Sequence, residues 1–321
     1  MGATHLNAID KVPGVSVGAI CTTNERARSG DLTGVGGNLA VEGGMHDFTA
    51  VQKYADWREL VADPVLDAID ICLPTDLHAP VALAALQAGK HVLCEKPMAL
   101  KAEHCTQMLQ AADKVKKILM IGHVLRFWPE YESLYNFVKT ERGNGHVQSA
   151  RFVRSAGIPD WSHWLPVEER SGGAIIDLLI HDIDQALSLF GVPERVSAKS
   201  MGAVDTVSAV LFYGNGLKVE IQGGWLPAGE PFHMGFHVSA ERARLDLEPS
   251  GLFRTDEAGR HQVQPPEGNA YESQIQYFIQ CCTAGTQPDR CPPAQSAAAL
   301  EIALRIKESR KKEGQTLKCL D

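Results

Sequence analysis

Over the first 120 or so residues of the chain, short apolar runs alternate with segments whose apolar residues recur at helical spacing. Residues 15–21, 51–54, 68–73, 91–94 and 118–121 read as strands. Residues 2–11, 57–62, 78–88 and 102–115 read as helices, the second ended by Pro64 and the third by Gly89. Strands separated by helices of this length cannot be hairpins. They pair in parallel and are covered by their own crossovers. The glycine-rich residues 33–44 break the rhythm and read as an insertion.

From about His123 the pattern changes to longer strand-like runs joined by turn residues, as in a mainly antiparallel sheet. Runs 207–213 and 217–225 flank Gly214-Asn215-Gly216, a hairpin signal because glycine and asparagine tolerate positive φ. Runs 233–240 and 243–247 read as a further pair, and residues 172–190 as one long helix. Helices over 271–284 and 294–312 close the chain, the last opened by Pro292-Pro293. A length of 321 residues suits two domains, placed at 1–123 and 124–321.

The formal net charge of −8 and the lack of a lysine- and arginine-rich stretch argue against a nucleic-acid partner. No apolar run approaches the roughly 20 residues that cross a bilayer, and the amino terminus has no secretory pattern. The eight cysteines include no paired C-x-x-C spacing, so no metal site is expected. They read as reduced thiols of a soluble, cytoplasmic protein.

Two constellations carry chemistry. In the helix over 172–190, Ile175, Ile176, Leu179, Ile180, Ile183, Ala186, Leu187 and Phe190 fill one broad arc, and Asp177, His181, Asp184 and Ser188 form a narrow polar stripe opposite. A stripe like this faces either water or a pocket. The helix has no lysine, arginine or glutamate to cover a solvated face. An aspartate one turn before a histidine also fixes its tautomer, as a general base requires. The second constellation is Cys94-Glu95-Lys96-Pro97 at the carboxyl end of a parallel strand, the edge where open α/β sheets bind ligands. There the proline biases Lys96 toward an extended backbone, away from a helix.

Joined to their surroundings, these segments resemble the Gfo/Idh/MocA family of glucose-fructose oxidoreductase, inositol dehydrogenase and rhizopine-catabolism proteins. The resemblance rests on Ile71 through His78, Ala88 through Pro97, Gly122-His123 with Arg126-Phe127 and Pro129, Gly172-Gly173-Ala174 through Asp184, and Tyr271 with Tyr277-Phe278, in that order. It implies a Rossmann-type doubly wound parallel sheet followed by an α+β domain whose mainly antiparallel open sheet serves as an oligomer face, in a dimer or tetramer. It also implies an NAD- or NADP-dependent dehydrogenase acting on a CH–OH group of a sugar, sugar acid or cyclitol. Lys96, Asp177 and His181 match the family's catalytic group. Leu73, Pro74, Thr75, His78, Glu95 and Lys96 match positions beside the nicotinamide. Arg126, Trp161 and Trp164 are candidates for substrate contact, the tryptophans equally suited to anchoring a loop.

The sequence departs from the family at its start. The fingerprint needs a strand and then G-x-G-x-x-G. Here Met1-Gly2-Ala3-Thr4-His5 resembles only its last part, with Gly2 as the third glycine. The first strand and two glycines are expected upstream, Met1 being an internal methionine, and without that strand a buried sheet edge lies open. At the end of the next strand, where relatives carry a ribose-binding acid, stand Cys21, Thr22 and Thr23, with Arg26 and Arg28 nearby. NAD and NADP both remain open. The competing readings are a non-catalytic ligand-binding relative and an imine or biliverdin-type reductase, the second of which has no need of Asp177 and His181.

Overall fold

A computed structural model of the chain describes residues 1–34, 36–37, 43–144, 146–202 and 204–319, the side chains of 142–144 excepted. Half of the insertion expected over 33–44, residues 35 and 38–42, therefore lies outside the described residues. The chain divides into two compact units, Met1–Val124 with Ala270–Ala294 and Leu125–Asn269 with Gln295–Asp321. A single division at residue 123 does not separate them. Residues 270–294 join the first unit because helix Ala270–Ala284 packs on the opening helix Gly2–Ile9, where Lys11 and Glu272 form an ion pair at 3.0 Å.

In the first unit the order is α1 (Gly2–Ile9), β1 (Ala19–Cys21), α2 (Glu25–Arg28), β2 (Gln52–Tyr54), α3 (Trp57–Ala62), β3 (Ala68–Ile71), α4 (His78–Gln87), β4 (His91–Glu95), α5 (Ala102–Val115) and β5 (Leu119–Gly122). All the strand pairs are parallel, as the alternation predicts. Val92, Leu93 and Cys94 of β4 and every residue of β5 are buried, the run expected of strands covered on both faces. Val81, Ala82, Ala85 and Leu86 of α4 and Cys105 and Met108 of α5, two helices packed on each other, supply one covering layer. Among the described residues the parallel strands form two hydrogen-bonded groups, β1-β2 and β3-β4-β5. Among the described residues β1 and β3 each have one paired neighbour, and Asp70 on β3 is exposed as a residue with its side chain half-buried.

The second unit holds α6 (Pro129–Asn144), β6 (Val147–Gly157), α7 (Glu168–Ser171), α8 (Ala174–Asp177), α9 (Ile180–Phe190), β7 (Arg195–Ser200), β8 (Asp205–Phe212), β9 (Lys218–Leu226), β10 (His233–Ala240), β11 (Arg244–Glu248), β12 (Gly251–Asp256) and β13 (Gly259–Gln262). α10 (Ala270–Ala284) belongs to the first unit, and α11 (Pro293–Lys311) and β14 (Leu317–Lys318) complete the chain. Among the described residues the strands form one nine-stranded sheet, β13-β12-β11-β10-β6-β9-β8-β7-β14. Only the β6–β9 pair is parallel. Alternation puts Ala150, Phe152, Val219, Ile221, Phe236 and Val238 on a buried face against α6 and α9. The opposite face carries Arg151, Lys218, Glu220, His237, Arg244 and Glu248 around a shallow groove of about 630 Å³.

Two elements depart from expectation. α6 replaces a stretch read as strand-like, burying Tyr131, Leu134, Phe137 and Val138 at helical spacing. The single helix over 172–190 is broken. Gly172 and Gly173 adopt φ of 84° and 78° and separate α7 from α8. A Cβ on Gly172 would lie 2.7 Å from that of Ile176, so neither the dihedral nor the space admits another residue. A second irregularity follows Asp177, where the Ala174 carbonyl accepts from both Leu178 and Leu179 N–H at 2.9 Å. The wider turn separates α8 from α9.

Candidate functional site

The first unit gathers its candidate residues at the carboxyl ends of β3 and β4. Ile71 is in register with Cys94, so the segment after β3 (Cys72, Leu73, Pro74 and the turn Thr75–Leu77) runs beside Glu95-Lys96-Pro97. His78 ties the two together, with Nδ1 2.7 Å from the Pro97 carbonyl and Nε2 2.8 Å from that of Leu73. Burial pushes its imidazole below the ordinary range, against the pull of those carbonyls. Glu95 is buried, and burial favours its neutral form. The hydrogen bond and charge of His5 outweigh that and hold it below the usual carboxylate range. Lys96 is half-buried. Gly2 opens α1 opposite Cys72, a Cβ there reaching 3.9 Å from the Cys72 Cβ.

Cys21 and Thr22 belong to the other strand group, at the end of β1. Burial, with Asp56 next, pushes the Cys21 thiol up. The Thr22 carbonyl accepts from Arg28 Nη1 at 2.6 Å, and Arg26 donates to Asp31 at 2.6 Å and Thr33 at 2.8 Å. Both arginines, candidates for a 2'-phosphate, thus have internal partners.

In the second unit Asp177 is buried at the end of α8 and His181 half-buried at the start of α9. Of their stripe Asp177 and Asp184 are buried, and His181 and Ser188 half-buried. The Asp184 carboxylate receives Arg126 Nε at 2.8 Å and Nη2 at 2.7 Å. Arg126, expected at the substrate, is therefore a buried brace on the helix that carries His181, its side chain 4% exposed. Asp184→Asn, which keeps the shape but leaves the Arg126 charge buried without its counter-ion, is expected to cost about 3–5 kcal/mol of stability in urea titration, with KM little changed. Trp161 is exposed and Trp164 half-buried in the loop before α7.

Sequence reading missed His5. Its ring meets Asp70 at 2.8 Å and Glu95 at 3.2 Å, 65 and 90 positions away, and no local spacing announces such a meeting.

The nicotinamide side of a dinucleotide fits the first unit. Thr75 is 2% exposed at the ligand edge, and its hydroxyl has no hydrogen-bond partner among the described residues, leaving a buried polar atom for a ligand to satisfy. Gly2 stands at the amino terminus of α1.

Residues 1–123 match an oxidoreductase family with an NAD-binding Rossmann fold, and residues 141–246 match the Gfo/Idh/MocA C-terminal domain. The chain belongs to the Gfo/Idh/MocA family. D-glucoside 3-dehydrogenase of Escherichia coli K12 is 34% identical over 143 residues, 44% of this chain and 41% of that protein. D-xylose 1-dehydrogenase (NADP(+)) 2 of Haloferax volcanii is 29% identical over 273 residues, 80% and 82% of the two chains. The chain spans about half the length of the first curated relatives it matches. Among solved structures, levoglucosan dehydrogenase in complex with NADH and levoglucosan superposes with a TM-score of 0.83 at 20% identity, covering 100% of this chain and 97% of that one. Both family domains thus have the Rossmann and open-sheet folds that the sequence implied.

Proposed function

We propose that this Gfo/Idh/MocA chain is an NAD(P)-dependent dehydrogenase acting on a hydroxyl group of a sugar, sugar acid or cyclitol. The observation that carries the reading is the ligand edge of β3 and β4, where Lys96 follows β4 and Thr75, its buried hydroxyl without a partner among the described residues, follows β3. The substrate class is supported by relatives named for D-glucoside and D-xylose dehydrogenation. Leu73, Pro74, Thr75, His78, Glu95 and Lys96 would hold the nicotinamide side, Gly2 the pyrophosphate, and Cys21 and Thr22 the adenosine ribose. When bound, the nicotinamide supplies the acceptor or donor of hydride.

The rest of the chemistry belongs to side chains. Oxidation requires the hydroxyl proton to leave, and His181 takes it. Asp177 orients the imidazole, and Arg126 braces α9 through Asp184. Lys96 places an ammonium against the alkoxide as charge develops there. Trp161 and Trp164 offer ring faces to a sugar. Asp177→Asn keeps the shape of the carboxylate and is expected to lower kcat at least about tenfold by loosening the base.

A panel of polyols with NAD and NADP, together with NADH fluorescence on titrating in the protein, tests the reading. Turnover of a polyol with one cofactor is expected. NADH binding without turnover of any polyol or sugar would overturn it.

The open face of the nine-stranded sheet, with acidic and basic side chains interspersed around its groove, suits pairing with a second copy as a dimer or tetramer. Light scattering at micromolar concentration is the check. Among the described residues no disulfide joins the cysteines, and no helix is long and apolar enough to cross a membrane, which supports work in the reducing cytoplasm.

A further inference from the structure

Lys96 is attached to a backbone that is itself held in place. Its N–H donates to Glu95 Oε2 at 3.2 Å. The other oxygen of that carboxylate, Oε1, lies 3.2 Å from His5 Nε2. Room for it comes from Gly122 at the end of β5, where a Cβ would stand 2.8 Å from Oε1. On the far side of the ring, His5 Nδ1 lies 2.8 Å from Asp70 Oδ2. α1 thus sends one side chain, 1% exposed, between carboxylates on two neighbouring parallel strands.

An ionised carboxylate can only accept hydrogen bonds. An imidazole flanked by carboxylates on both nitrogens must therefore donate from both, which only the imidazolium can do. Among the described residues the groups facing the ring are Asp70 from β3, Cys72 just after it, Glu95 from β4 and Tyr271 from α10. The Cys72 sulfur is 3.4 Å from Nδ1, and the Tyr271 ring centroid 6.1 Å away and tilted. Burial favours the neutral ring, but the Asp70 charge with the contacts to Asp70 and Cys72 outweighs it, and His5 stays protonated well above the ordinary histidine range.

We propose that His5 is a positioning residue: as a buried imidazolium bridging Asp70 and Glu95, it fixes the carboxylate that holds the Lys96 backbone. The inference rests on the reading of Lys96 as the cation at the reacting oxygen. It assigns α1 a task besides its amino-terminal role, that of setting the ligand edge from beneath.

Two measurements on the full chain test it separately from that reading. Ring ¹⁵N chemical shifts, assigned by comparison with His5→Gln, are expected to show both His5 nitrogens protonated at pH 8. A single unprotonated ring nitrogen at pH 7 overturns the bridge. The second measurement is a cycle of His5→Gln, Glu95→Gln and the double variant, followed by initial rates with the best polyol and cofactor. Each single change should lower kcat about tenfold or more, with the polyol KM moving less than about threefold and the double variant no worse than about twofold below the poorer single. Losses that multiply instead mean that His5 does not act through Glu95, and the proposal fails. An imidazolium in an unaltered protein that turns over no polyol counts against the reading of Lys96 and not against the bridge.

The same geometry fixes a sign for stability. His5 gains affinity for its proton on folding, so its contribution is complete below the ordinary histidine value and is lost as pH rises through the elevated one. The melting temperature of the unaltered chain should fall over that alkaline window, and that of His5→Gln should not follow it. Parallel curves for the two proteins would overturn the bridge.

Discussion

Lys96→Ala is expected to lower kcat by roughly two to four orders of magnitude, the range spanned by losing one positioned charge or proton-transfer group at a reacting oxygen. The melting temperature should barely move. Lys96 is half-buried at the end of β4, beyond the apolar layer of Val92, Leu93 and Cys94 that holds the strand in place. Truncating its stem removes little of that packing, whereas the ammonium has no replacement at a developing alkoxide. Lys96→Arg sharpens the test. It keeps the charge but replaces a compact ammonium with a planar fork of different reach, so partial activity is expected, well above the alanine level. Initial rates with saturating polyol and either cofactor, beside thermal unfolding by circular dichroism, separate the two effects. Turnover within tenfold of the unaltered protein in Lys96→Ala would remove Lys96 from the reaction.

How much of this was legible beforehand follows from the range of the interactions involved. The parallel strands and their helices were readable because burial on both faces makes each strand a short apolar run and each helix a one-sided pattern, and both are local signals. The hairpin of β8 and β9 was readable for the same reason, from Gly214-Asn215-Gly216. α6 carries an equally local signal in Tyr131, Leu134 and Val138, which the surrounding strand-like segments masked.

What could not be read lies in contacts made across the fold. The stripe of Asp177, His181, Asp184 and Ser188 assumed unbroken helical spacing, and the shared Ala174 carbonyl interrupts it between the first two. Arg126 read as a candidate for substrate contact because Asp184, its partner, is 58 positions away. His5 was invisible as a functional residue, since its meaning depends on strands that begin more than 60 positions later. Lys96 and His181 were singled out by chemistry and family likeness together with their neighbours Glu95 and Asp177, but the contacts of His5 and of Arg126 with Asp184 were not.

A second large effect is expected in the core of the second unit. Arg154 of β6 donates to Asp182 of α9 from Nε at 2.7 Å and from Nη2 at 3.0 Å, and Nη2 also reaches the Tyr131 hydroxyl of α6 at 3.0 Å. The two charged side chains are 3% and 0% exposed. Burial pulls Arg154 toward neutrality, yet Asp182 and Tyr131 hold it above its ordinary value. Burial also pushes Asp182 up, with Arg154 opposing. Removing one partner strands the other charge away from water. Arg154→Met is therefore expected to cost about 3–5 kcal/mol, far more than the lost methylene packing, which methionine largely restores. Pairing Arg154→Met with Asp182→Leu should recover most of that loss, because a well-packed apolar pair avoids the desolvation of both ions. Urea unfolding of the two variants gives the comparison directly, and a double variant no more stable than the single one would show that geometry, not stranded charge, sets the cost. Kinetics add the link to function. His181 precedes Asp182 on α9, so Arg154→Met should lower kcat even at temperatures where the protein remains folded. The double variant, with α9 packed but no longer held by a directional ion pair, should regain stability before it regains rate.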